Sequence, residues 1–237
     1  MNVKNYEKSI IVVVVLALAC LVSVPSLGRA GGYVVLIDPA HGGEDTGVKL
    51  SKKVYEKDVT LAVAQYVRGD LNGTKGISVY LTRKTDTMLS VAERIKAAGD
   101  VNADLFISLS VNAGFGEASS GYEVYFPGFK AKPLPKSGTK EIVDDMIRNK
   151  YLNEGVRFAQ IVMKKIETVF PRKGRGLRDT RVPVLENLTI PAVVVEMGFA
   201  TNSSDRKKLL RANVQKSLAR AVGESIKQYF SLSGARK

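Results

Sequence analysis

Short runs of apolar, β-branched residues recur along this chain, and the stretches between them repeat with the period of a helix. That alternation constrains the fold more than any other feature. Residues 33–37 (YVVLI), 77–81 (ISVYL), 104–109 (DLFISL), 122–126 (YEVYF) and 192–195 (AVVV) read as strands. YVVLI and AVVV are apolar throughout rather than alternating, as expected of strands covered on both faces. Residues 54–71 place Val59, Ala62, Val63, Tyr66 and Val67 on one helical face, and residues 87–98 do the same with Leu89, Ala92, Ile95 and Ala98. Helical patterns also cover residues 140–170, with a break expected near Asn153 and Gly155, and residues 204–229, with a break near Asn213. The proline-bearing stretch 127–137 reads as a loop, residues 171–176 as a basic turn, and residues 182–185 as a further short strand. Strands alternating with helices predict a single α/β domain: a mostly parallel or mixed central sheet with helices on both faces. In such sheets, sites gather where strands end and loops begin.

The first thirty residues stand apart. Lys4 and Lys8 precede an apolar run over residues 10–22, and Gly28-Arg29-Ala30 offers a small-x-small cleavage site. A basic segment, a short apolar run and such a site make a secretory signal. The run falls short of the roughly 20 residues of a comfortable span. Residues 1–30 are thus expected to be a signal peptide or an N-terminal membrane anchor, with residues 31–237 the folded domain. Cys20 sits inside the run and reads as one of its small apolar members. The domain is expected to be exported to the periplasm or cell envelope, touching membrane only through this segment.

Net charge is +13, and residues 1–30 contribute +2 of it (Lys4, Lys8 and Arg29 against Glu7), leaving +11. A charge of this size speaks to partners rather than fold. No basic stretch interleaved with aromatics is present, so nucleic acid is not expected; an anionic wall polymer suits the charge better. With one cysteine and one histidine in the whole chain, intramolecular disulfides and multi-cysteine zinc sites are excluded. Any metal has to be held by His41 and carboxylates.

Three residues stand at the ends of predicted elements. His41 follows the first strand among glycines; alone, it reads as an exposed turn histidine. Glu56 opens the first helix, where a negative charge suits the helix dipole. Glu196 follows AVVV, and a carboxylate at the end of an apolar strand is costly unless it is paired, exposed or used. Arg83 and Arg94 could pair with carboxylates in the fold or with acidic groups of a substrate. Pairing within the fold is the expected use, since arginine is the usual choice for buried ion pairs.

Taken in order, the motifs resemble one family. IDPAHGGEDTG (residues 37–47) is similar to the opening motif of the zinc-dependent N-acetylmuramoyl-L-alanine amidases, which usually carries glycine where Ala40 stands. YEKDVTLAVA (55–64) resembles their metal-glutamate segment, LTRKTD with SVAER their arginine-bearing stretch, and ADLFISLSVNA (103–113) their third motif. GRGLR followed by VPVLENLTIPAVVVEMGFATN (182–202) resembles their last. The resemblance implies a zinc ion held by two histidines and a glutamate, with a second glutamate acting on the attacking water. By motif, His41 matches the first histidine, Glu56 the metal glutamate and Glu196 the catalytic glutamate. The place of the second histidine is taken by Ser110; Asn112, two residues on, is a candidate to orient substrate in the site or else a simple turn residue.

A serine hydroxyl is not among the usual zinc ligands, and the chain has no other histidine to replace it. The resemblance therefore implies a domain acting on peptidoglycan, cleaving the amide between N-acetylmuramic acid and L-alanine, with a zinc site that is weak or absent. The other reading is a catalytically silent homologue that binds peptidoglycan or regulates an active amidase or another envelope protein.

Overall fold

A computed structural model describes residues 32–128 and 139–234. The expected signal or anchor lies outside the described residues, as does most of the loop expected at 127–137. Six strands form one sheet: β1 (Tyr33–Pro39), β2 (Ile77–Leu81), β3 (Leu105–Asn112), β4 (Tyr122–Phe126), β5 (Gly174–Asp179) and β6 (Ala192–Phe199), in the order β2-β1-β3-β6-β4-β5. The pairs β1–β2, β1–β3, β3–β6 and β4–β5 are parallel, while β4 runs antiparallel to β6. The sheet is mixed, and the fold is the expected α/β class.

Strand residues alternate between two unequal cores. Val35 and Ile37 of β1, Leu105, Ile107, Leu109 and Val111 of β3, and Val193, Val195 and Met197 of β6 face the larger one. It is closed by α1 (Glu56–Leu71), α3 (Thr139–Ile166) and α6 (Ala212–Gly234) through Val63, Val67, Phe158, Val162, Leu218 and Val222. Leu36, Phe106, Ala192 and Val194 face the smaller core, against Ala98 of α2 (Val91–Asp100) and Leu185 of α4 (Pro183–Glu186). A seven-residue α5 (Ser203–Leu209) precedes α6. Among the described residues, no helix is long and apolar enough to cross a membrane.

Several elements differ from the sequence expectation for identifiable reasons. α3 passes Asn153 and Gly155 unbroken. A Cβ on Gly155 would lie 3.2 Å from the Ala192 carbonyl oxygen, so this glycine lets the helix lie against the start of β6 rather than ending it. Residues 182–185, expected as a strand, form part of α4, which Pro183 opens: its φ suits a first helical turn and it has no N–H for a ladder. The expected basic turn at 171–176 runs into β5, an exposed edge strand. α2 starts at Val91 rather than near Thr87, because Ser90 and Glu93 form a capping box there.

Candidate active site

Period-2 alternation sets the site. Asp38, Ser108, Ser110 and Glu196 occupy the strand positions that point to the smaller core's face, but lie nearer the C-terminal ends of β1, β3 and β6 than the apolar residues α2 and α4 cover. These ends adjoin the point where sheet order departs from β1 in both directions, toward β2 and toward β3, which is where open α/β sheets bind ligands.

The turn after β1 is locked from beneath. Arg94 of α2 pairs with Asp38 at 2.5 Å and donates to the carbonyls of Pro39 (3.1 Å) and His41 (2.9 Å). Thr82 and Ser108 complete the shell of Asp38 at 2.7 and 2.9 Å. Arg83, expected to meet a carboxylate, instead donates to the carbonyls of Pro39, Ala40, Lys57 and Thr85. The two arginines thus tie the turn's backbone to β2 and α2, and the turn keeps His41 at φ 63°, a conformation unusual for a residue with a side chain.

Glu56, buried at 2% exposure, is where the side chains meet. Its Oε1 accepts from the Val111 N–H (2.7 Å) and the Ser110 hydroxyl (2.8 Å). Its Oε2 accepts from the Val48 N–H at 3.1 Å and lies 3.2 Å from His41 Nε2. His41 Nδ1 meets Asp45 Oδ1 at 2.7 Å. The hydrogen bond to Glu56 raises the His41 pKa to about 9, against the opposing effect of burial and with help from Asp45. Gly47 closes the cluster: a Cβ there would lie 2.6 Å from Glu56 Oε2 and 2.7 Å from His41 Cδ2.

Glu196 pairs in register with Ser110 across β3–β6 and with Glu123 across β4–β6. It lies inside β6 rather than after it. Its Oε2 is buried and has no hydrogen-bond partner. Burial foremost, and then the Glu56 charge, push its pKa up to about 8, so it is largely protonated at neutral pH. Asn112 is committed within the fold, with Nδ2 donating to the Tyr125 hydroxyl (2.8 Å) and Oδ1 accepting from the Gly114 N–H (2.8 Å). The structure thus brings His41, Glu56, Ser110 and Glu196 together and sets Asn112 beside them, one step along a hydrogen-bond chain to Glu123.

Residues 35–228 match the sequence profile of the N-acetylmuramoyl-L-alanine amidase family. The chain belongs to that family. The amidase AmiC of Escherichia coli O6:H1 is 29% identical over 232 residues, covering 87% of this chain and 56% of AmiC, so the chain spans about half the length of that relative. The uncharacterized protein YqiI of Bacillus subtilis is 32% identical over 200 residues, covering 84% of this chain and 85% of YqiI. Among solved structures, the catalytic domain of the amidase CwlV from Bacillus (Paenibacillus) polymyxa var. colistinus shares 30% identity at a TM-score of 0.69, over 84% of this chain and 98% of that one. The amidase AmiC2 of Nostoc punctiforme shares 28% identity at a TM-score of 0.70, over 85% and 98%.

The donor set around Glu56 does not match a catalytic zinc. Such a zinc takes three protein ligands drawn from His, Glu, Asp and Cys. No cluster of three such residues able to hold a metal exists among the described residues of this amidase-family domain. His41 and Glu56 are two ligands of the usual kind, and the third side chain converging on them is the Ser110 hydroxyl.

The sequence alone assigns no site role to Asp45, Glu123, Tyr125, Arg175 or Arg178. Asp45 carried a readable signal, an acid four residues after the only histidine in a glycine-rich turn. Glu123 did not: inside YEVYF it looks like the polar position of an ordinary alternating strand.

Proposed function

We propose that this domain engages peptidoglycan at the amide between N-acetylmuramic acid and L-alanine, and that Ser110 leaves its hydrolysis of that bond impaired. The observation that carries the reading is the convergence of His41 and Ser110 on the buried Glu56 carboxylate, with the unpartnered oxygen of Glu196 one strand away. In this reading His41 and Glu56 hold zinc weakly or not at all. Glu196 is the residue that exchanges a proton with the reacting amide: at neutral pH it holds that proton at its carboxyl, in a site dry enough to strengthen any hydrogen bond it gives. His41, cationic between two carboxylates, offsets part of the Glu56 charge that Glu196 feels. The N-terminal segment carries the domain to the envelope as a cleaved signal or an anchor, and the net positive charge draws it to anionic wall polymer at low salt.

The deciding experiment compares the wild-type chain with Ser110→His on purified sacculi, with zinc and with chelator, alongside a zinc titration. The variant should bind zinc about tenfold tighter or more, since removing even a supporting group from a metal site costs that much. It should release peptide from glycan faster than the wild type, and chelator should stop it. Equal zinc affinity in the two proteins would remove Ser110 from the metal shell. Wild-type cleavage at the variant's rate would remove the impairment. A wild type that binds sacculi and releases nothing is the silent homologue.

A further inference from the structure

Beyond the pocket, β4 and β5 carry a second group of charges. Glu123 is buried at 6% exposure. Its Oε1 accepts from Arg175 Nε at 2.8 Å and Arg178 Nη2 at 3.3 Å, and its Oε2 from the Tyr125 hydroxyl at 2.9 Å. Burial works against the charged carboxylate, but the bonds from Arg175, Tyr125 and Arg178 hold its pKa below the usual range. It is an anion, and two guanidinium groups flank it.

A β-bulge makes this possible. Residues three apart on a regular strand point to opposite faces. Between the pairs Tyr122↔Gly174 and Val124↔Leu177, β5 carries one residue more than β4. The extra residue is accommodated at Gly176, whose φ of 97° is unfavourable for other residues. The step brings Arg175 and Arg178 to one face, where a single carboxylate reaches both. The Arg175 guanidinium also lies 5.1 Å from the centroid of the Phe199 ring. Each arginine spends only one N–H on Glu123, and their side chains stay 38% and 49% exposed. One carboxylate between two guanidiniums leaves a positive charge, with planar donors suited to another carboxylate.

We propose that Arg175 and Arg178 form a carboxylate subsite for the peptide stem of the substrate. The assignment rests on the peptidoglycan reading. Glu123 and Glu196 are direct cross-strand neighbours, so the arginines stand beside the carboxyl proposed to act on the amide. On the glycan side of that amide, the lactyl carboxyl is consumed in the bond itself. The free carboxylates of a muramoyl peptide therefore lie on the peptide side, and the arginines fix which way the substrate runs across the site.

The test is calorimetric titration of the full chain, in chelator, with N-acetylmuramoyl-L-alanyl-D-glutamate and with the same compound bearing both carboxylates as amides. The wild type should bind the acid about tenfold tighter than the amide, as expected for charge-assisted hydrogen bonds. Arg175→Gln with Arg178→Gln should remove that preference and leave binding of the amide unchanged. The glutamines keep a donor at each position but leave buried Glu123 without a cation, so the variant should melt lower, and the titration is run below its melt. Arg175→Lys with Arg178→Lys, which keeps the charge, should retain part of the preference for the acid. A preference that persists in the glutamine variant, or a wild type that binds both compounds equally, overturns the subsite and leaves the peptidoglycan reading standing. A wild type that binds neither compound sinks that reading, and the subsite with it. Displacement of the acid by an equal concentration of inorganic phosphate assigns the arginines to a phosphate and overturns the carboxylate assignment.

Discussion

Asp38 and Glu196 are carboxylates on the same face of the same sheet, both toward the C-terminal ends of parallel strands and both buried. Their surroundings are opposite. Asp38 has Arg94, Thr82 and Ser108 around its two oxygens. Glu196 has a buried oxygen with no partner and a pKa pushed up to about 8. A carboxylate with protein donors on both oxygens is part of the frame. One left unmet in a dry place stores a cost that folding alone does not explain, and a ligand or proton removes it. The difference marks which of the two carries chemistry.

The sharpest way to break that comparison is to unmake the Asp38 site. Arg94→Ala leaves a buried carboxylate without its cation, takes the Arg94 donor from the His41 carbonyl and leaves Pro39 to Arg83 alone. Loss of one partner of such a pair costs about 3–5 kcal/mol, read by urea denaturation. If the variant is as stable as the wild type, Asp38 is no more structural than Glu196 and the contrast fails.

Gly47→Ala comes next and acts on the pocket alone. The residue sits at φ 62°, and its new Cβ would press on Glu56 and His41. Left-handed strain and a short contact together should cost about 2 kcal/mol. The variant should also weaken whatever zinc affinity Ser110→His confers, because the two remaining ligands are forced apart. A fully stable variant with unchanged zinc binding would show that the His41–Glu56 contact is looser than its geometry implies.

Much of the frame was readable from sequence because burial writes itself there. β1 and β6 are covered on both sides, so their strand runs are continuous; α1 covers only one side, so its pattern has a helical period. Glu196 was readable for a related reason, since it interrupts the apolar run of β6, whereas His41 and Glu56 look like an ordinary turn histidine and helix-opening acid and were legible only through the motifs that hold them. What stayed hidden lies at the exposed edge. GRGLRD has no apolar alternation because β5 has little to bury, and the bulge at Gly176 shifts the phase that a strand pattern depends on. Glu123 is buried by neighbours that arrive from that unseen strand, so nothing local distinguishes it from a surface glutamate. The contact between Ser110 and Glu56 joins β3 to the start of α1 and has no trace in either segment alone.

The smallest expected effect concerns pH and tests the same contrast without moving the backbone. In metal-free protein the His41 pKa is raised from its ordinary 6.5 to about 9, and that of Glu196 from 4.5 to about 8. Both are raised, so both favour the protonated form when folded. Their contributions to stability are complete below the unfolded values and are lost as pH rises through the folded ones. For Glu196 the window runs from 4.5 to about 8, and for His41 from 6.5 to about 9. Thermal melts in chelator should therefore fall steadily between pH 6 and pH 9. Glu196→Gln keeps the shape and cannot ionise. It should melt within about 1 kcal/mol of the wild type at pH 6, where the native carboxyl is already neutral, and should exceed it at pH 9. Asp38→Asn should be destabilised at both, since the charge it removes is the one Arg94 needs. If Glu196→Gln instead loses stability at pH 9, its carboxylate has a partner after all, and the two carboxylates are alike.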